Sequence, residues 1–133
     1  LTGHLVLSTL HTNDAPGAVG PYAQGVRVGN LLFVSGQIAI DPATGTLVEG
    51  GVEGQTRRVM ENLAAILKAG GSGLDRVVKA TVYLTDLGTF EAMNRVYGSY
   101  FPGEKPARVC VEVSRLPRNS SVEIDAIATV VEG

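Results

Sequence analysis

Arg108 stands two residues before the only cysteine of the chain, Cys110, in the segment Pro106-Ala107-Arg108-Val109-Cys110-Val111-Glu112-Val113. The segment alternates with a period of two, which reads as a β-strand whose side chains sort onto two faces. Arg108, Cys110 and Glu112 share one face; Val109, Val111 and Val113 share the other, which their types mark as core. A second alternating run, Val122 to Ala128, sets Glu123 and Asp125 opposite Val122, Ile124 and Ala126. Cations and carboxylates placed this way need water, one another or a ligand. The planar fork of a guanidinium suits a small carboxylate through two parallel hydrogen bonds. Arg108 therefore either clasps an incoming acid or closes an internal ion pair with Glu112 or Glu123, and spacing leaves both open.

Glu123 is a candidate to hold a water and pass protons, as carboxylates do in general acid–base catalysis; the alternative is a solvated strand glutamate. Cys110 reads as a small residue shaping a pocket rather than as a nucleophile. An activated thiolate needs a histidine or a helix N-terminus beside it, and His4 and His11 both stand in the first segment. Tyr22, in Gly20-Pro21-Tyr22-Ala23-Gln24-Gly25, offers a phenol as a pocket wall or as loop packing. Ser35 and Gly36 end a strand, where glycine either lets a ligand approach the backbone or, as the commoner case, simply closes the strand. Asn94, on a helix, either reaches a cleft or faces water. The sequence holds no G-x-x-x-x-G-K-S/T phosphate loop and no spacing of His, Cys and carboxylates that suits a metal.

The elements that must position these residues follow from pattern. His4 to Leu10 alternates weakly and predicts a first strand; His11 to Gln24 carries loop and turn chemistry. Val26 to Val28 and Leu31 to Ser35 flank Gly29-Asn30, a two-residue connection suited to a tight hairpin. Val52, Val59, Leu63, Ile66 and Leu67 fall on one stripe and predict a helix from about Val52 to Ala69, ended by Gly70-Gly71-Ser72-Gly73. Val77 to Thr85 predicts a long strand. Thr89 to Tyr100 predicts a second helix with Phe90, Met93, Val96, Tyr97 and Tyr100 inward. The two alternating runs then close the domain.

This order implies an α+β fold: a mixed sheet with both helices on one face. The other face is expected to carry Leu31, Phe33, Val77, Tyr83, Cys110 and Ile127. An exposed apolar sheet of that extent is a liability in a monomer, so copies of the chain are expected to pack these faces around a shared axis, with polar clefts between subunits.

A chain of 133 residues supports one domain, spanning 1–133. At 44 % hydrophobic and 18 % charged it is too apolar for disorder. A net charge of −2, with no basic run and few aromatics, argues against nucleic acid as a partner. No apolar run approaches the ~20 residues of a membrane span, and the first residues do not read as a signal peptide. One cysteine excludes an internal disulfide and fits a reducing compartment, so a cytoplasmic protein is expected.

Four motifs, in order and at near-family spacing, resemble the RidA family, the small enamine/imine deaminases also called the YjgF family. They are Ala15-Pro16 with Gly20 to Gln24, Phe33-Val34-Ser35-Gly36-Gln37, Pro106 to Val113, and Leu116-Pro117 followed by Val122 to Ala128. The resemblance covers about Asn13 to Val130, while residues 1–12 depart from it. It implies a chorismate-mutase-like sheet of about six strands, assembled as a homotrimer with sites between subunits. By the resemblance, Arg108 grips the substrate carboxylate. Tyr22, Cys110 and Glu123 line the cleft, Gly36 is the strand-end glycine and Asn94 the helix asparagine. The implied reaction is hydrolysis of 2-aminoacrylate-type enamines, through their 2-imino acid tautomers, to 2-keto acids and ammonia. It calls for no metal or organic cofactor, because an imine is already electrophilic. The rival expectation is a non-catalytic module that binds 2-keto acids with the same arginine. RNA cleavage is disfavoured by the acidic balance and by the lack of a histidine pair.

Overall fold

The computed structural model describes residues 7–10 and 22–131. Six strands form one sheet: β1 (Leu7–Leu10), β2 (Gly25–Val28), β3 (Leu31–Gln37), β4 (Val77–Leu84), β5 (Ala107–Glu112) and β6 (Val122–Thr129). Two long helices accompany it, α1 (Gly51–Ala69) and α2 (Phe90–Ser99). The spatial order is β1-β2-β3-β6-β4-β5. All neighbours are antiparallel except β4 and β5, which run parallel. A parallel pair needs a crossover, and α2 supplies it. Antiparallel β2 and β3 need only a tight turn, which Gly29 makes at φ +60°, a left-handed conformation that glycine adopts without a Cβ clash.

Both helices cover one face of the sheet. Val59, Met60, Leu63, Ile66 and Leu67 of α1 and Met93 and Tyr97 of α2 join one core with Leu32, Val34, Ala80, Val82, Leu84, Val122, Ile124, Ala126 and Ala128. Asn62 of α1 is buried and fixes the chain after β3, its Nδ2 donating to Ile40 O at 3.0 Å and Ile38 O at 3.3 Å. The opposite face is open. Phe33, Val109 and Val111 are 41, 43 and 37 % exposed there.

Three expectations about faces are corrected. The valines of β5 are not core, and neither Cys110 nor Val77 belongs to the open face; Val77 pairs with buried Ala128 across a register shift in β4 and packs against the core. In the parallel register Ala80 stands beside Arg108 and Val82 beside Cys110. Ala80 and Val82 lie buried under the helices, so Arg108 and Cys110 share that side and Val109 and Val111 turn to the open one. The cause is that β5 is an edge strand flanked by α2. There a cysteine and the apolar stem of an arginine can pack while the charged head stays at the rim. The first strand spans Leu7–Leu10; the expected start at His4, and the loop from His11 to Pro21, lie outside the described residues. Among the described residues no helix is long and apolar enough to cross a membrane.

Candidate functional site

Arg108 lies on the helix side of the edge strand, and α2 receives it with three residues on one face. Phe90, Asn94 and Tyr97 are spaced i, i+4, i+7. Arg108 Nη1 donates to Asn94 Oδ1 at 2.6 Å. Its Cζ lies 4.8 Å from the Tyr97 ring centroid and 5.5 Å from that of Phe90, contacts that each contribute about 0.5–1 kcal/mol at such partly exposed positions. These partners are all neutral. Among the described residues the one ion pair is Arg95–Glu53, and no carboxylate neutralises Arg108. Glu112, offered by the sequence as its partner, instead accepts from Leu87 N at 2.8 Å and ties the end of β5 to the turn before α2.

Cys110 is packed against the core beside Arg108. Burial pushes its thiol pKa up, and the Arg108 charge only partly opposes this. The thiol form therefore prevails, as suits a wall rather than a nucleophile.

The second group gathers on the open face. The β3–β6 register shifts between Val34 and Gln37, a bulge that contains Ser35 and Gly36. Ser35 Oγ donates to Ala23 O at 2.5 Å, and its N–H donates to Gln24 O at 2.9 Å, so Ser35 anchors the loop that carries Tyr22. Tyr22 itself is 54 % exposed. Gly36 faces the Glu123 side chain, and a Cβ there would collide with Glu123 Oε2 and lie 2.9 Å from Cδ. The space that glycine opens is thus filled by the Glu123 carboxylate. Glu123 is half-buried; that burial first, and the neighbouring Asp125 charge second, raise its pKa above the ordinary glutamate range.

The structure therefore brings together Arg108, Cys110 and Asn94 in one group and Ser35, Gly36 and Glu123 in another. It places the two groups on opposite faces of the sheet. Phe90 and Tyr97, which pattern reading assigns to the core alone, also hold Arg108 with their rings; the asparagine between them in the helical stripe is the signal that this face receives something polar. On the open face the Tyr83 hydroxyl donates to Asp125 Oδ2 at 3.0 Å, a contact visible only once the register of β4 on β6 is known.

The fold is a two-helix, mixed-sheet α+β domain that presents a guanidinium with no carboxylate partner among the described residues. The chain belongs to the family described as endoribonuclease L-PSP, the YjgF/RidA family, whose model matches residues 12–130. It is 54 % identical over 119 residues to a RutC family protein of Pyrococcus horikoshii, covering 90 % of this chain and 94 % of that one. It is 44 % identical over 124 residues to the 2-iminobutanoate/2-iminopropanoate deaminase of Mus musculus, covering 93 % of this chain and 92 % of that one. The crystal structure of E. coli TdcF with bound serine superposes with a TM-score of 0.89 at 42 % identity, covering 93 % of this chain and 99 % of that one.

Proposed function

We propose that this protein hydrolyses 2-imino acids, the tautomers of 2-aminoacrylate-type enamines, to 2-keto acids and ammonia. The observation that carries the reading is Arg108: a guanidinium held by an amide and two rings, with no carboxylate of the described chain on it. Such a group is preorganised for the carboxylate of a small acid. The mouse relative's name supplies the reaction class, and serine bound to TdcF supplies the ligand class, a small 2-amino acid.

In this reading Arg108 fixes the substrate carboxylate and so orients the imine carbon. Glu123 in its protonated form gives its proton to the imine nitrogen while a water oxygen bonds to the carbon. The carboxylate then recovers a proton from the added water. A second such exchange protonates the nitrogen again, the C–N bond breaks, the hydroxyl becomes the keto oxygen and ammonia leaves. A raised carboxyl pKa favours this acid role near neutral pH. Asn94 orients Arg108, Cys110 and Tyr22 wall the cleft, and Ser35 holds the Tyr22 loop.

Arg108 and Glu123 of one chain lie on opposite faces, so we place the working site between copies, the Arg108 edge of one against the open face of the next. The exposed Phe33, Val109 and Val111 supply an apolar surface for that contact. A homotrimer acting as a single-domain unit in the cytoplasm is the assembly we propose. RNA cleavage, carried by the family's descriptive name, draws less support from a chain of net charge −2.

The test is to generate iminopyruvate from an amino acid with an oxidase and follow its loss with and without the protein. Acceleration supports the reading. Binding of 2-keto acid without acceleration replaces it with the binding-module reading. Gly36→Ala is expected to keep stability within about 1 kcal/mol, because the atoms it meets are the flexible end of Glu123, yet to lower turnover about 100-fold by displacing that carboxylate. Cys110→Ala is expected to retain turnover within about threefold, the thiol being no nucleophile; iodoacetamide should alkylate wild-type Cys110 only slowly at pH 7.

A further inference from the structure

Resting on the reading of a deaminase site between copies, we infer that Tyr83 is the specificity-determining residue of that site: its ring, held in place by Asp125, limits the size of the group that the imine carbon can carry. The strand order and registers set Gly36, Glu123, Tyr83 and Val111 in one row across the open face, on β3, β6, β4 and β5 in turn. Side chains directly opposite in an antiparallel pair start about 4.5–5.5 Å apart at Cβ, so the Tyr83 ring rises beside the stem of Glu123. Glu123 leans the other way, its Cδ and Oε2 lying over the place that a Cβ of Gly36 would take. The β3 side of the row is thus occupied by the carboxyl itself, and the β4 side by a ring.

A 2-imino acid carries three groups on its reacting carbon. In the proposed site the neighbouring copy's Arg108 takes the carboxylate and Glu123 meets the nitrogen. The third group, the side chain, then has to lie along the open face. Towards β3 its way is blocked by the Glu123 carboxyl over Gly36. Towards β4 and β5 stand the Tyr83 ring and the exposed Val111, an apolar flank that suits an alkyl group. How large a group it takes depends on whether the ring can move aside. Tyr83 is half-buried, and its hydroxyl donates to Asp125 Oδ2 at 3.0 Å, one row further along β6 where Thr81 stands opposite. Packing at its base and a hydrogen bond at its far end hold the ring in one rotamer. It is therefore a fixed wall. A short alkyl group passes beside it, whereas a branched or aromatic one meets it.

The experiment measures kcat/KM for the imines that an amino acid oxidase makes from alanine, leucine and phenylalanine, in wild type, Tyr83→Val and Tyr83→Phe. Valine suits a strand and removes the ring; phenylalanine keeps the ring and removes only its tether. Each result is read as the ratio of a bulky imine to the alanine imine, so an effect common to all substrates, at Glu123 included, cancels. The inference expects the leucine-to-alanine ratio to rise about tenfold or more in Tyr83→Val, the scale on which an apolar pocket discriminates, and by a smaller factor in Tyr83→Phe. A ratio unmoved in either variant overturns it, as does an equal loss for every imine, which marks a merely structural role. Calorimetric affinities for the matching 2-keto acids, taken on the same chains, separate this from the deaminase reading. If wild type binds keto acids but turns over no imine, the deaminase reading falls and the same ratio, taken from the affinities, decides the inference. Turnover with unmoved ratios sinks the inference and leaves the deaminase reading standing. Neither turnover nor binding sinks both.

Discussion

Arg108→Ala is expected to lower kcat/KM for a 2-imino acid by about 10²–10⁴-fold, the loss of two charge-assisted hydrogen bonds of about 1.5–3 kcal/mol each. The geometry around the residue says why the loss falls on function and not on folding. Arg108 is half-buried, its contacts to Phe90 and Tyr97 are ring faces, and its one hydrogen-bond partner among the described residues, the Asn94 amide, regains water when the guanidinium is gone. No carboxylate is orphaned by the substitution, since none is paired with it among the described residues. Thermal unfolding is therefore expected to shift by only a few degrees. Arg108→Lys is expected to recover little, because an ammonium offers a point charge where a two-pronged planar donor is needed. The check is steady-state imine hydrolysis with a parallel 2-keto acid binding titration. Near-normal turnover in Arg108→Ala removes the central residue from the mechanism.

The strands, both helices and their order follow from periodicity because each element buries one side against the other layer. Val59, Leu63, Ile66 and Leu67 are buried where their helical spacing predicts. Periodicity fails at β5 for a definite reason. Alternation separates Val109 and Val111 from Arg108 and Cys110, but it does not say which set faces the helices, and residue type misleads when an edge strand has an arginine stem tucked under a helix. The parallel register against Ala80 and Val82 decides the question, and register is a property of two strands, not of one. The same limit hides Gly36 beneath Glu123. Their contact arises from a bulge in β3 and from the pairing of β3 with β6, neither of which a single sequence displays. Motif resemblance singles out both residues as site positions without revealing that one makes room for the other.

Glu123→Gln is expected to reverse the pattern of Arg108→Ala: 2-keto acid binding persists, while turnover falls about 10²–10⁴-fold with the loss of positioned proton transfer. Stability moves the other way. The folded-state pKa of Glu123 is raised above its unfolded value of 4.5, so its contribution is present below that value and is lost as pH rises through the raised one. Glutamine carries no charge to desolvate, so the variant is expected to melt above wild type at neutral pH, the two curves converging below pH 4.5. The two dead variants together then report where the site is built. If Arg108 of one copy faces Glu123 of the next, a randomly mixed assembly of Arg108→Ala and Glu123→Gln chains contains intact pairs wherever the first donor is a Glu123→Gln chain and the second an Arg108→Ala chain. Each condition holds half the time, so about a quarter of the wild-type activity per site returns on mixing in a cyclic oligomer. A site contained within one chain returns none. Activity that stays at the level of the separate variants, in a preparation shown by native mass spectrometry to have exchanged subunits, therefore rejects the site between copies even if each single substitution behaves as expected.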